Sequence, residues 1–269
     1  MNVTLLARTF GSQRIRILLI GIGLLIWGVL MPVIYASFGR ELGELIDSPA
    51  FPFPREFTQF GGGDMTTLPG SIALGFVHPI AVALIGVFAI GGAASAIAGE
   101  RQRGTLEVLL SRPIGRRALY ATAFVGISII VGLLVLAAIV GAVVGSIAFD
   151  VLGELELRNL PAVWLNGVLL YVAFAAIGLA ASVSFDRLAP ALGVTLGVAI
   201  VSYFLQIIGS LWPDAKWLQP YSLFHYFEPG TTLTDGPQVG DLAVLATVIL
   251  VAVAYALTAF PRRDIAAPS

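Results

Sequence analysis

The chain alternates between long apolar runs and short polar connectors. Six runs contain no Asp, Glu, Lys or Arg: Ile17–Ser37, Ser71–Ala98, Ala118–Phe149, Pro161–Ser184, Leu188–Trp212 and Leu242–Phe260, with 21, 28, 32, 24, 25 and 19 residues. A hydrocarbon core about 30 Å thick takes about 20 helical residues, so each run is long enough to cross a bilayer. None shows the period-two alternation of a barrel strand, and all are longer than the about 10 residues such a strand uses. The pattern predicts an all-α, polytopic membrane protein with six transmembrane helices. At about 1.5 Å per residue, the 32-residue third run must tilt or project beyond the hydrocarbon.

Charge supplies the orientation. The connectors expected on one side are the N-terminus, Gly99–Arg117, Phe185–Arg187 and the C-terminal tail. They carry Arg8, Arg14, Arg16, Arg101, Arg103, Arg112, Arg116, Arg117, Arg187, Arg262 and Arg263, eleven of the fifteen basic residues. The other side carries Arg40, Arg55, Arg158 and Lys216, with twelve of the sixteen acids. The positive-inside rule then predicts a multi-pass protein of the cell membrane with both termini cytoplasmic. Before the first run, Val3, Leu6 and Phe10 fall on one helical face and Arg8 and Arg14 elsewhere. Residues 1–16 are therefore expected to form an interfacial helix on the inner leaflet. The following run is too long for a signal peptide and lacks an Ala-x-Ala site, so it reads as a retained span.

The outer connectors differ from each other. Gly39–Gly70, with Pro49, Pro52, Pro54 and Gly61-Gly62-Gly63, reads as loop. Pro213–Gly240 sets Trp217, Tyr221, Phe224, Tyr226 and Phe227 among Pro213, Pro220 and Pro229. It is expected to pack at the outer interface or to re-enter the bilayer between spans five and six.

Composition narrows the chemistry. At 12% charged residues the chain has about half the charged fraction of a soluble domain, and a net charge of −1 draws no nucleic acid; the expected surroundings are membrane lipid. With no Cys, disulfides, thiolate metal sites and a Cys nucleophile are excluded. His78 and His225 lack zinc spacing and no Gly-x-Ser-x-Gly occurs, so no enzyme, metal site or bound cofactor is expected. The single Lys, Lys216, lies in Pro-Asp-Ala-Lys-Trp without the Gly-rich turn of a P-loop, which leaves no Walker-type ATP site in this chain. The spans hold no ionisable residue except His78 beside Pro79, which reads as an interfacial hydrogen-bonding group. Proton or sodium coupling, which uses buried carboxylates, is disfavoured. Gly141-xxx-Gly145 and Gly193-xxx-Gly197 permit close helix approach and read as packing within the chain.

The most informative connector is Gly99–Arg117. Thr105 is placed to cap a helix, Leu106, Leu109 and Leu110 follow at i, i+3 and i+4, and Glu107 lies near the positive helix end. Pro113 limits the helix, because the residue before proline disfavours helical geometry. Two turns are too short to be stable alone, so the leucine face must bury itself, against lipid headgroups or in a partner's groove.

This string resembles the signature of ABC-2-type permeases of ABC exporters, a Glu followed by Gly-Thr-Leu-Glu, Leu-Leu, Pro and Arg between the second and third spans. In that family the element is a coupling helix that inserts into a cleft on the ATPase. The resemblance implies that Glu100, Gly104, Thr105, Leu106, Glu107, Leu109, Leu110, Pro113 and Arg116 serve ATPase docking, with Arg116 and Arg117 holding the loop at the headgroups. It extends to the six-span layout, the N-terminal interfacial helix and the aromatic segment before the last span, where Leu223 stands in place of a Pro common in the family. It further implies an ABC ATPase subunit that binds ATP and Mg, and a second permease copy, identical or paralogous. The rival readings are a non-transporting membrane scaffold, which predicts the same spans and no ATPase, and a secondary transporter, which predicts flux with ATP depleted.

Overall fold

The computed structural model of the chain describes residues 3–39, 41, 43, 59–60, 63–111 and 114–263. Helix α1 is Val3–Ile34, extended by a π-helical turn, Tyr35–Gly39. Strands β1 (Gln59–Phe60) and β2 (Gly63–Asp64) make a two-stranded antiparallel hairpin within the connector expected to be loop. Helices α2 (Leu68–Val77) and α3 (Pro79–Gly86) follow, and α3 continues through π-helical segments at Val87–Gly92 and Ser95–Gly99. Two short helices, α4 (Glu100–Gln102) and α5 (Thr105–Leu110), lead to α6 (Arg116–Ala148). The remainder is α7 (Leu160–Ser184), α8 (Leu188–Leu211), α9 (Pro229–Asp235) and α10 (Val239–Arg262), with 3-10 turns between.

Among the described residues five helices are long and apolar enough to cross a membrane, and the bent pair α2–α3 makes a sixth if counted as one span. They lie over the apolar runs of the sequence, but the first begins well before its run and the second is broken. Ser71–Ala98 is not a continuous helix: the axis turns by 47° at His78. Pro79 has no N–H and forces His78 out of helical geometry, to φ −65° and ψ 140°. The break leaves carbonyls without backbone partners, and neighbouring helices supply donors. Trp27 Nε1 on α1 donates to the Gly75 carbonyl at 2.9 Å, and the Tyr203 hydroxyl on α8 donates to the Val77 carbonyl at 3.1 Å. Such replacement is the condition for a break inside a bilayer. His78 itself caps α3, its Nδ1 accepting from the Ile80 N–H at 3.3 Å, and its ring lies 4.9 Å from that of Trp27.

A second correction concerns the N-terminus. The segment expected to lie apart on the membrane surface is the first part of α1, which runs unbroken from Val3 into the span. Phe10 packs against the bundle core, and Leu6 lies beside Gly126 of α6, so these turns follow the third span. No proline or left-handed residue interrupts the helix there to turn it aside.

Helices α1 and α6 run parallel and share a glycine seam. A Cβ on Gly28 would stand 2.2 Å from the Ala138 carbonyl oxygen, one on Gly141 2.1 Å from that of Leu25, and one on Gly145 2.7 Å from that of Val29. The Gly141-xxx-Gly145 spacing is therefore packing within the chain, whereas Gly193 and Gly197 have nothing within 4 Å of an added Cβ. Helix α7, apolar on all sides, is the centre of the bundle, with Leu170, Phe174 and Leu179 fully buried. Helices α8 and α10 expose Val201, Phe204, Leu250 and Val251 outward, the surface that lipid requires.

The aromatic connector after α8 packs into the bundle. The Ser222 hydroxyl donates to the Ser202 carbonyl at 2.6 Å, Phe224 and Phe227 are buried, and Trp217 and Tyr221 stay exposed. Opposite ends of the bundle thus differ in charge: Asp64, Asp150, Glu154 and Glu228 lie with this connector, and Arg101, Arg116, Arg187 and Arg263 at the far, basic end.

Candidate functional site

At the basic end the segment between the second and third spans is folded and anchored. The chain leaves the π-helical turn at Gly99, makes α4, and reverses at Gly104, whose φ of +71° lies in the left-handed region. A side chain there would meet no atom within 4 Å, so glycine is required by backbone conformation alone. Thr105 does not cap α5 as expected. Gly104 holds the capping position, and Thr105, the first helical residue, turns its hydroxyl back to the Glu100 carboxylate and donates to it. The same carboxylate accepts from Arg103. Glu100 thus ties α4 to α5 across the turn.

Helix α5 presents two faces. Leu106 is 1% exposed and belongs to the bundle's core, and Leu110 packs against that core. The leucine row therefore anchors the segment to its own chain, with Leu109 half-buried at the boundary. The outward face carries Thr105, Glu107, Val108 and Ser111. Val108 is 63% exposed, an apolar side chain on a helix otherwise seated on the bundle. Pro113 lies outside the described residues.

Four stretches distant in sequence are bonded together beneath this segment. The Arg101 side chain, 5% exposed, donates through Nη1 to Asp186 Oδ1 at 2.5 Å and weakly to the Phe185 carbonyl at 3.5 Å. Gln102 Oε1 accepts from the Leu188 N–H at 2.9 Å, satisfying an amide that opens α8. Arg263, beyond α10, donates to the Val183 carbonyl and, at 2.9 Å, to the same Asp186 oxygen. Arg116 turns back on its own chain. Its Nη1 donates to the Phe260, Pro261 and Arg263 carbonyls at 3.2, 3.2 and 2.6 Å, and so caps the end of α10, where unpaired carbonyls favour a cation. Arg117 is exposed, with a long 3.4 Å contact to the Leu257 carbonyl.

The electrostatics of Arg101 follow from this crowding. Burial pulls its guanidinium below the usual value, the neighbouring Arg263 charge adds to that, and Asp186 opposes both. Two of its nitrogens, Nε and Nη2, are buried without a hydrogen-bond partner among the described residues. Sequence reasoning placed neither Arg101 nor Asp186 in the site. The available signal was a lone Asp in the three-residue turn Phe185–Arg187, the only acid in that connector.

Apolar helices, a charge-divided bundle and a folded polar segment between α3 and α6 define a multi-pass helical membrane protein. The chain matches the profile of the ABC-2 family transporter proteins over residues 23–265. It belongs to that family, as a membrane permease of the ABC-2 type. No curated protein matches it.

Proposed function

We propose that this chain is the permease subunit of an ATP-driven exporter, spanning the membrane six times with the α2–α3 pair as one span and both termini cytoplasmic. A separate ABC ATPase, which binds ATP and Mg, energises it by gripping α5. Two permease chains, identical or paralogous, enclose the path. The observation that carries this reading is the outward face of α5, where Glu107 and the 63%-exposed Val108 stand on a helix fixed to the bundle by Leu106 and, one turn before, by Arg101. A helix fixed on one side and open on the other transmits displacement; one loosely tethered would absorb it.

The division of labour within the motif follows. Gly104 and the Thr105–Glu100 bond set the turn, Leu106 and Leu110 seat the helix, and Glu107 and Val108 meet the ATPase. The test is the double variant Glu107→Arg with Val108→Asp in the full chain, expressed in its native cells and scored for the ATP-binding-cassette ATPase that co-purifies with the unaltered chain. Loss of co-purification with an unchanged thermal unfolding midpoint is expected. Undiminished co-purification would refute the docking role, and export of cargo with ATP depleted would refute ATP coupling.

A further inference from the structure

Beneath the same segment, a side chain from another helix enters the backbone ladder of the second span. Ser182 of α7 is fully buried. Its hydroxyl donates to the Ala94 carbonyl at 2.7 Å and accepts from the Ala98 and Ile97 N–H groups at 2.8 and 3.0 Å. In an α-helix the Ala98 N–H would donate to the Ala94 carbonyl directly. The hydroxyl stands between them, and Ser95–Gly99 winds as π-helix, the expected response to a group inserted in the ladder.

A side chain as short as serine reaches another helix's backbone only if the two axes are close. Gly178, one turn earlier on α7, provides this: a Cβ there would stand 2.9 Å from Ala93 Cβ and 3.1 Å from Thr195 Cγ2. Ala94, Ala98, Ala181 and Ala191 complete a small-residue contact around the serine. The π turn ends at Gly99, directly before Glu100 and Arg101, so its register fixes how the whole Glu100–Leu110 segment is rotated.

We propose that Ser182 is a positioning residue whose hydroxyl holds the end of the second span in π register and so sets the rotation of the α4–α5 segment against the α7–α8 turn. Its meaning for transport rests on the reading of α5 as the element the ATPase grips. Withdrawing the hydroxyl lets the Ala98 N–H close on the Ala94 carbonyl, and one residue of α-helical register is about 100° of rotation and about 1.5 Å of rise. Arg101–Asp186 and the buried Leu106 resist that rotation. The π and α registers therefore compete, and a push on α5 shifts the balance between them.

The full chain has no cysteine, so two introduced cysteines report alone. Spin labels at Val108→Cys and Ala189→Cys, both exposed positions, are measured by double electron–electron resonance in lipid nanodiscs. On a helix of about 5 Å radius, a rotation of about 100° moves a side-chain tip by about 8 Å. Ser182→Ala is expected to shift or split the distance by a substantial part of that. Val183→Ala, which empties a neighbouring fully buried position without touching the ladder, is expected to leave it unchanged. An unchanged distance in Ser182→Ala, or an equal change in Val183→Ala, overturns the inference. Co-purification of the ATPase with the unaltered chain is scored separately: its failure removes the docking reading and leaves the register result standing, and the converse holds as well.

Discussion

Two glycine pairs with the same spacing make opposite predictions. Gly141 and Gly145 face α1, and a Cβ on Gly141 would lie 2.1 Å from the Leu25 carbonyl oxygen and 3.1 Å from Gly28 Cα. Carbon–oxygen contacts between packed helices settle at about 3.3–3.6 Å, so Gly141→Ala must drive α1 and α6 apart by more than about 1 Å. The seam has little freedom to yield, because Gly28 and Gly145 also approach the facing backbone closely, at 2.2 and 2.7 Å for an added Cβ. Overpacking of this kind costs about 1–3 kcal/mol, and with about 2–4 °C per kcal/mol for a chain of this size the unfolding midpoint should fall by about 2–12 °C. Gly197→Ala meets nothing within 4 Å, and alanine is the better helix former, so its midpoint should hold or rise slightly. Tryptophan fluorescence of the detergent-purified chain, heated at one fixed scan rate, measures both, with the four native tryptophans as reporters. Equal midpoints for the two variants would show that the α1–α6 seam is not packed as described.

Two further outcomes follow from the polar bonds. Asp186→Ala leaves the Arg101 charge buried and unpaired and should cost about 2 kcal/mol, less than the about 3–5 kcal/mol of a fully buried pair because Asp186 is 67% exposed. Arg101→Met removes the buried charge together with its desolvation cost and should be the milder of the two; the reverse order of midpoints would contradict the burial of Arg101. At the break in the second span, Trp27→Phe strips the donor from the Gly75 carbonyl and should cost about 1–2 kcal/mol. Pro79→Ala gives that carbonyl an N–H four residues on, so Trp27→Phe should cost less in its presence, and a double-mutant cycle with no coupling would refute the clamp.

How much was legible beforehand depended on the range of the interaction. The apolar runs marked where the long helices lie, since solvent preference accumulates along each segment and needs no partner, but they missed the fourteen residues by which the first helix precedes its run. Pro79 announced a break by its chemistry, but its place in the middle of an apolar run hid it, because hydropathy does not register a lost N–H. The short helix before Pro113 was visible in spacing, whereas the left-handed turn at Gly104 that starts it was not. Which face of α5 turns inward was not: an amphipathic helix shows that it has an apolar face, and its own bundle and a partner compete for that face equally well on paper. Leu106 went to the bundle, leaving Val108, which the i, i+3, i+4 pattern omits. Arg101–Asp186 and Ser182–Ala94 join residues more than eighty positions apart, and apart from the lone acid in the Phe185–Arg187 turn nothing local marks their ends.

The stretch from α2 to Gly99 is the irregular one, and its irregularities are distributed. It bends at Pro79, winds as π-helix twice, and ends at the segment we propose as the ATPase contact. Each departure from the α ladder that has a hydrogen-bonding substitute takes it from a different neighbour: Trp27 of α1 and Tyr203 of α8 at the break, Ser182 of α7 at the last π turn. A regular helix in the same place would carry all its backbone bonds internally and could slide past its neighbours as a rod. This one cannot move at its basic end without exchanging bonds with α7, or at its bend without exchanging them with α1 and α8. A displacement applied at α5 is thereby shared with three other helices, which is what a span must do if a push on one short segment is to rearrange a bundle.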